Sequence, residues 1–468
     1  MRSLVWFRGK DLRVADHGPL AEAAAGGEVI PLFVLDPHFF APGRARMLPH
    51  RMQFLLEALG HLEADLAGLG SRLLVVPGRS VDVVPGLAAR WKVDRVLAHR
   101  WVEPFGRERD RRVADALGRE GIAFRLFEGE TLLPPGSVRT GQGGMFRVFT
   151  PFARACGARL AVDDPLAPPG RLPPLPPGVS ADVVPIPTPE ALGLSRNPRI
   201  QAGGEAAAQA RLQAFLAGPL DRYALDRDRM DRPGTSRLSA DLKFGTLSVR
   251  QVWQAVAGRG GPGSGPFLNE LLWREFSHHL LWTWPDLLQR PFRPAFEEFP
   301  WREDAAAWEV WTEGRTGYPV VDAAARQLNA EGFIHNRARM VAASFLAKHL
   351  MLDWRRGEAH YLRWLTDGDW AQNDAGWQWS AGCGCDAQPW FRIFNPVAQG
   401  LRFDPEGDYV RRWVPELARL PGATIHEPWK APARLQADLD YPAPIVDHAF
   451  ARARFLAVAK AHLGRSPA

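Results

Sequence analysis

Cysteine is nearly absent from this 468-residue chain: there are three, Cys156, Cys383 and Cys385. Three cannot build a disulfide framework, and the C-x-C pair of Cys383 and Cys385 has no second ligand pair nearby, so no metal site is expected. This usage fits a reducing compartment, and a cytoplasmic location is expected. No run of about 20 apolar residues occurs, so no membrane span is predicted. The opening MRSLVWFRGKDLR turns charged too soon for a secretory signal. Lysine is scarce: apart from Lys10, Lys92, Lys243, Lys348, Lys430 and Lys460, the 58 basic residues are arginines. With alanine, glycine and proline also abundant, that bias is what a GC-rich genome would leave. The net charge of +6 and pI near 9.5 permit a nucleic-acid partner without requiring one. No helix-turn-helix or zinc pattern is present, and no G-x-G-x-x-G follows the first apolar run, which disfavours a standard dinucleotide site there.

Tryptophan, by contrast, is plentiful, with 18 in the chain. Residues 367–379, DGDWAQNDAGWQW, gather acids, amides and three indoles in one stretch. Trp273, Trp282, Trp284, Trp301, Trp308, Trp311, Trp354 and Trp364 lie in the same C-terminal half. Indoles are ordinary large core residues. Beside acids and amides they also suit base stacking or electron transfer.

A chain of this length exceeds one hydrophobic core. The apolar fraction of 46% and charged fraction of 24% are those of a globular protein. Over the first third, short apolar runs at 4–7, 29–35, 73–76, 95–98 and 124–127 read as buried strands. Residues 49–69, 81–91 and 106–121 read as helices between them. Strands alternating with helices predict a parallel, doubly wound α/β sheet, with ligands outside the carboxyl ends of the strands. Residues 163–197 are dominated by proline and read as extended connector. Beyond residue 205 the pattern turns helical, with Ala208, Leu212, Phe215 and Leu216 in one stripe and longer helices expected at 267–282 and 335–350. The expected division is an α/β domain over 1–130, a proline-rich linker over 131–204 and an all-α domain over 205–468.

Three further patterns carry chemistry. Residues 234–239, GTSRLS, set hydroxyls and an arginine behind a glycine before a helical stretch, as either an anion site or an ordinary helix cap. Glu270, Trp273, Arg274 and Ser277 share one helix face, either a solvated salt-bridged face or the wall of a polar cavity. Asn336, Arg339, Met340 and Ala343 share another, where a capped helix start with a packed methionine is the alternative.

These strings, in order, resemble the photolyase/cryptochrome family of blue-light flavoproteins. WFRGKDLRVADHGPL, GTSRLS, NELLWREFSHHL, TGYPVVDAAARQLNAEGFIHNRARM, DGDWAQNDAGWQW and FRIFNPVAQG carry the resemblance almost end to end. Within the family the chain is most similar to bacterial class I enzymes that repair cyclobutane pyrimidine dimers. The resemblance implies FAD in the helical domain and an electron passed from the light-excited reduced flavin to a flipped-out dimer, then returned. It implies that Tyr223, Thr235, Ser236, Arg237, Leu238 and Ser239 hold the phosphates and ribose. Phe267, Arg274, Arg339, Asp367, Gly368 and Asp369 would surround the flavin and adenosine, with Asn373 opposite flavin N5. Phe267 departs from relatives that carry tryptophan there but stays aromatic.

On the substrate side the resemblance places Trp273 and Trp379 as aromatic walls. Glu270 and Asn336 would bond the pyrimidine edge, with Arg337, Met340 and Gln399 nearby. Trp377, Trp354 and Trp301 match an electron-hopping chain. VEPFG and LKFG resemble binders of an 8-hydroxy-5-deazaflavin antenna, at Asp36, Arg51, Glu103 and Lys243; methenyltetrahydrofolate and FMN are the alternatives. DNA containing pyrimidine dimers is the expected partner of a monomeric enzyme. A (6-4) photolyase would carry histidines where Asn336 and Met340 stand. A cryptochrome photoreceptor would typically extend further than the roughly twenty residues beyond Asp447. A light-independent flavin oxidoreductase would need a hydride-donor site, for which no fingerprint is found.

Overall fold

The computed structural model describes residues 1–180, 183–436 and 439–464, so positions 181–182 of the proline-rich stretch and 437–438 and 465–468 of the expected helical domain lie outside it. The chain separates into two compact units, Met1–Asp221 with Ser236–Pro285, and Arg222–Thr235 with Asp286–Ala468. Among the described residues no helix is long and apolar enough to cross a membrane.

The first unit is built on strands β1 (Arg2–Phe7), β2 (Glu28–Leu35), β3 (Leu74–Pro77), β4 (Arg95–His99) and β5 (Ala123–Phe127). They pair in parallel in the order β3-β2-β1-β4-β5. Parallel neighbours need a crossover, supplied by helices α1 (Gly18–Gly26), α2 (Pro49–Gly68), α3 (Ser80–Arg90) and α4 (Pro104–Arg119). Helices on both faces explain the unbroken apolar runs. Val5, Phe7, Val29 and Phe33 pack with Leu59, Leu62 and Leu66 of α2. Leu4, Trp6, Ile30 and Leu32 face the other way, onto Val84 of α3 and Val113 and Leu117 of α4. β5 departs from the expectation of five buried strands: Phe124 and Leu126 are only half-buried. It is the last strand, with a neighbour on one side only. A later helix of this unit, α5 (Ser264–Thr283), carries Glu270, Trp273 and Arg274.

This strand order reverses between β1 and β4, where such sheets usually bind nucleotides. Here the residues following those strands are committed to one another. Lys10 pairs with both Glu103 and Glu130, Arg8 Nη1 reaches Asp110 Oδ1 at 2.6 Å, and Asp11 sits between His17 and His99. Asp11, His17 and His99 are close enough to hold a metal ion. However, His17 Nδ1 accepts the Leu20 N–H at 3.0 Å, which puts the ring proton on Nε2, towards Asp11. His99 Nδ1 is hydrogen-bonded to Asp11 Oδ2 at 3.2 Å, and His17 Nε2 stands 3.8 Å from the same oxygen. The proline-rich stretch is strapped to this unit: Leu172 N donates to Leu69 O at 2.7 Å and Val184 N to Val75 O at 2.9 Å. Among the described residues of 163–197 it makes one 3-10 turn, Glu190–Leu192.

The second unit is helical around one large core. The helix expected over 335–350 is α6 (Asn336–Ser344) followed by a π-helical turn, Phe345–Leu350, which Met351 ends at φ +57°. Inside that turn Lys348 is fully buried; burial lowers its pKa to about 7, and its Nζ donates to Arg392 O at 2.9 Å. Helices α7 (Trp354–Trp364), α8 (Trp370–Ala381) and α9 (His448–Leu463) follow.

Candidate functional site

In the second unit the segment that opens α8 carries most of the candidate residues. Asp369 caps the helix, its carboxylate accepting Gln372 N–H at 3.1 Å. One turn on, Asn373 Nδ2 donates to Glu358 O at 3.1 Å, which turns the amide oxygen the other way. Before the cap, buried Asp367 accepts Arg339 Nη2 at 2.7 Å through Oδ2. Its Oδ1 is buried and has no partner among the described residues. Arg339 is fixed a second time, through Nε to Ile334 O at 2.8 Å.

The start of α6 is capped by His335, whose Nδ1 accepts Arg337 N–H at 3.1 Å. Burial lowers the His335 pKa to about 4, so the ring is neutral and able to accept at neutral pH. Asn336 stands exposed, with its Nδ2 3.8 Å from Met340 Sδ. Arg337 turns instead to Asp228 at 2.9 Å and lies over Phe403. Trp379 and Gln399 are half-buried, and Gln399 Oε1 has no partner among the described residues.

Trp354 and Trp377 are buried and Trp301 is half-buried. Trp377 lies against Gly357 of α7, where a Cβ would come within 2.1 Å of the indole. Only glycine leaves room for it. Tyr361 and Trp311 meet Trp377 edge-on, with ring centres 4.9 and 6.1 Å away. Trp301 packs on Phe299 at 4.4 Å. The indole Nε1 of all three is buried with no partner among the described residues.

The sequence reading passed over two buried acids here. Burial raises Glu358 to about 7 and, with the charge of Glu358, raises Asp374 well above the usual carboxylate range. Gln378 Nε2 donates to both oxygens of Asp374, at 3.1 and 3.2 Å. The available signals were an acid inside DGDWAQNDAGWQW and another one turn after Trp354.

In the first unit Trp273 stacks flat on Phe149, 3.6 Å between centres and 9° between planes. No sequence pattern had pointed to Phe149. Arg274 donates to the carbonyls of Glu130 and Leu242, and Phe267 is buried against Phe215. Ser277 turns its hydroxyl back to Trp273 O at 3.1 Å.

The cap reading of GTSRLS is corrected. The residue before helix Ser239–Phe244 is Leu238, which makes no side-chain cap, while Ser236 Oγ accepts Leu238 N–H at 3.4 Å. Arg237 is held at φ +53°, a conformation non-glycine residues rarely adopt. Thr235 and Gly234 belong to the second unit, as does Tyr223, which is buried with Arg227 over its ring.

Of the residues matched to an antenna, Asp36 accepts backbone N–H groups from His38 and Ser80, at 3.0 and 2.8 Å. Arg51 is buried on α2, Glu103 precedes α4 and pairs with Lys10, and Lys243 lies 4.2 Å from the ring of Phe244.

Comparison with known proteins places this geometry in a family. Residues 3–173 match the model described as DNA photolyase, and residues 267–461 that described as the FAD binding domain of DNA photolyase. The deoxyribodipyrimidine photo-lyase of Thermus thermophilus is 44% identical over 88% of this chain and 92% of its own. A class III photolyase crystal structure from Agrobacterium tumefaciens superposes with a TM-score of 0.90 at 38% identity, covering 99% of this chain and 98% of that one. The Synechocystis cryptochrome also reaches 0.90, at 32% identity, covering 98% and 99%. The chain belongs to the DNA photolyase family.

Proposed function

We propose that this protein is a deoxyribodipyrimidine photo-lyase: with FAD bound, it uses light to open cyclobutane pyrimidine dimers in DNA. The observation that carries the reading is the start of α8, where Asp367 keeps a buried oxygen unpartnered beside the Arg339 pair and Asn373 has its amide oxygen turned outward. A ring edge with N–H donors suits both oxygens, so the residues present fit a flavin. Reduced FAD supplies, on absorbing light, the electron that opens the cyclobutane ring, and takes it back afterwards.

The remaining work falls to the chain. Asp367, Gly368, Asp369, Arg339, Arg274 and Phe267 hold the flavin and adenosine. Tyr223, Thr235, Ser236, Arg237, Leu238 and Ser239 hold the phosphates and ribose. Asn373 offers an amide acceptor that adds no negative charge beside a reduced flavin. Trp273 and Trp379 form flat walls for a dimer lifted out of the helix, which stacks and pairs poorly and so is cheap to extrude. Glu270 and Asn336 bond the pyrimidine edge, with Arg337, Met340 and Gln399 beside them. Trp377, Trp354 and Trp301 pass electrons inward during activation. Asp36, Arg51, Glu103 and Lys243 take an 8-hydroxy-5-deazaflavin, with methenyltetrahydrofolate or FMN as the alternative, and the enzyme acts as a cytoplasmic monomer.

The test is illumination of the reduced, FAD-loaded protein with an oligonucleotide carrying one thymine dimer. Light-dependent loss of the dimer is expected, as is a lower repair yield or dimer affinity in Glu270→Ala. Repair of (6-4) products alone would overturn the assignment. An absorption spectrum of the extracted chromophores identifies the antenna.

A further inference from the structure

The stack of Trp273 on Phe149 is tighter than two free rings would choose. Their centres lie 3.6 Å apart with the planes 9° from parallel, whereas aromatic pairs left to themselves slide into an offset or turn edge-on. The surroundings impose it. Phe276, on α5 with Trp273, stands steeply to both rings, 6.0 Å from the centre of Phe149 and 6.1 Å from that of Trp273. Phe152, one turn after Phe149 on the helix Phe149–Gly157, packs on Phe276 at 5.0 Å and on His279 at 5.3 Å. Phe149, Phe152 and Phe276 are all buried.

Backbone contacts fix this layer in turn. Buried Glu275 accepts Leu132 N–H and Leu133 N–H at 2.9 Å each, and His279 Nδ1 accepts Gly136 N–H at 3.2 Å. Segment 132–136 and the helix that begins at Phe149 are thereby held against α5. Trp273 alone of these rings is half-buried. Among the described residues Phe149 is the one ring lying flat on it, so one face of the indole is covered and the other carries no stacked ring. A half-buried indole has two side-chain torsions to order whenever a ligand stacks on it, and a backing ring orders them beforehand.

We infer that Phe149 is a positioning residue of the dimer pocket: it backs one face of Trp273 and holds the indole so that the open face meets the lesion. The inference rests on the photo-lyase reading, in which Trp273 walls that pocket. Phe149 touches neither dimer nor flavin in this role and acts only through Trp273. Its effect therefore belongs to recognition of the dimer. Undamaged DNA, held through its phosphates, does not depend on it.

Fluorescence anisotropy in the dark tests it, with the FAD-loaded protein binding an oligonucleotide that carries one thymine dimer and the same oligonucleotide undamaged. Phe149→Leu, which keeps the bulk but loses the flat face, should weaken dimer binding about tenfold, the scale set by one side chain left to be ordered on binding. Phe149→Met replaces it if that variant fails to fold. Affinity for undamaged DNA and the flavin absorption spectrum should not change. Phe149→Tyr, which keeps the ring, should bind the dimer within about twofold of wild type, and in a Trp273→Ala background Phe149→Leu should cost no more than about twofold. Equal losses on dimer and undamaged DNA, or an undiminished loss that persists without Trp273, would mean a purely structural role and overturn the inference. So would dimer affinity in Phe149→Leu equal to that of wild type. A wild type that does not prefer the dimer would overturn the photo-lyase reading itself, and the inference with it.

Discussion

In the first unit the guanidinium carbons of Arg8 and Arg109 each sit 4.8 Å from the ring centre of Trp6, and 5.5 and 4.4 Å from that of Trp101. In the second unit no cation lies over the ring of Trp377 or Trp301 among the described residues. Trp354 has Arg355 at 4.9 Å, but that arginine is paired with Asp353. The same side chain thus occupies two electrostatic settings. A cation is drawn to the negative face of an intact indole. Once the indole loses an electron the attraction becomes repulsion, about 3 kcal/mol at 5 Å and an effective dielectric near 20. On the proposed electron route, oxidation of Trp377 and Trp301 meets no such repulsion, whereas oxidation of Trp6 or Trp101 would.

Gly357→Ala attacks the second setting most directly, since its methyl would overlap Trp377. A loss of about 1–3 kcal/mol in denaturant unfolding and at least a tenfold drop in the rate of FAD photoreduction are expected. Unchanged photoreduction would mean that Trp377 is not the entry point. Trp377→Phe keeps an aromatic ring in place and should slow photoreduction by about an order of magnitude, or about 1.4 kcal/mol of barrier. Repair by chemically reduced enzyme should stay close to wild type. Equal loss of both activities would remove the hopping role.

The acids of the second unit give a pH test. Glu358, raised to about 7 from an ordinary 4.5, is protonated when folded and ionised when unfolded between those values. The folded state therefore holds more protons, and stability falls as pH rises from about 4.5 to 7, then levels. Glu358→Gln should flatten that decline, by an amount on the order of 1–3 kcal/mol, in melting curves taken across the range. A slope identical to wild type would place the titration elsewhere. The smallest effect belongs to the first unit. Trp6→Phe and Trp101→Phe should leave photoreduction within about twofold of wild type, and a large loss in either would erase the contrast between the two settings.

The sheet was legible because both its faces are covered, so that each strand reads as an apolar run. The helices at 49–69, 81–91 and 106–121 agree with α2, α3 and α4 to within two residues. β5 misled because Phe124 and Leu126 look like any buried pair; edge position alone does not explain it, since Leu74, Val75 and Val76 of β3 at the other edge are buried. The π-helical turn at Phe345–Leu350 was hidden because its sequence continues the helical pattern. Among the candidate residues, motif order singled out Arg339, Asp367 and Asp369, but neither the Arg339–Asp367 pair nor the cap that Asp369 makes on α8. Phe149 beneath Trp273, Gly357 beneath Trp377 and the Glu358–Asp374 pair depend on contacts between distant segments. The hydroxyls of GTSRLS suggested a cap, but the cap position falls on Leu238 and the turn is made through the backbone of Arg237.

The unpartnered indole nitrogens of Trp301, Trp354 and Trp377 bear on timing. An oxidised indole gives up its N–H proton far more readily than the neutral ring, and where an acceptor touches Nε1 the proton leaves and the vacancy is trapped as a neutral radical. Here each N–H faces no acceptor among the described residues. On the proposed route the proton therefore stays on Trp377 and Trp354, each ring keeps its appetite for an electron, and the vacancy moves on towards Trp301 instead of settling.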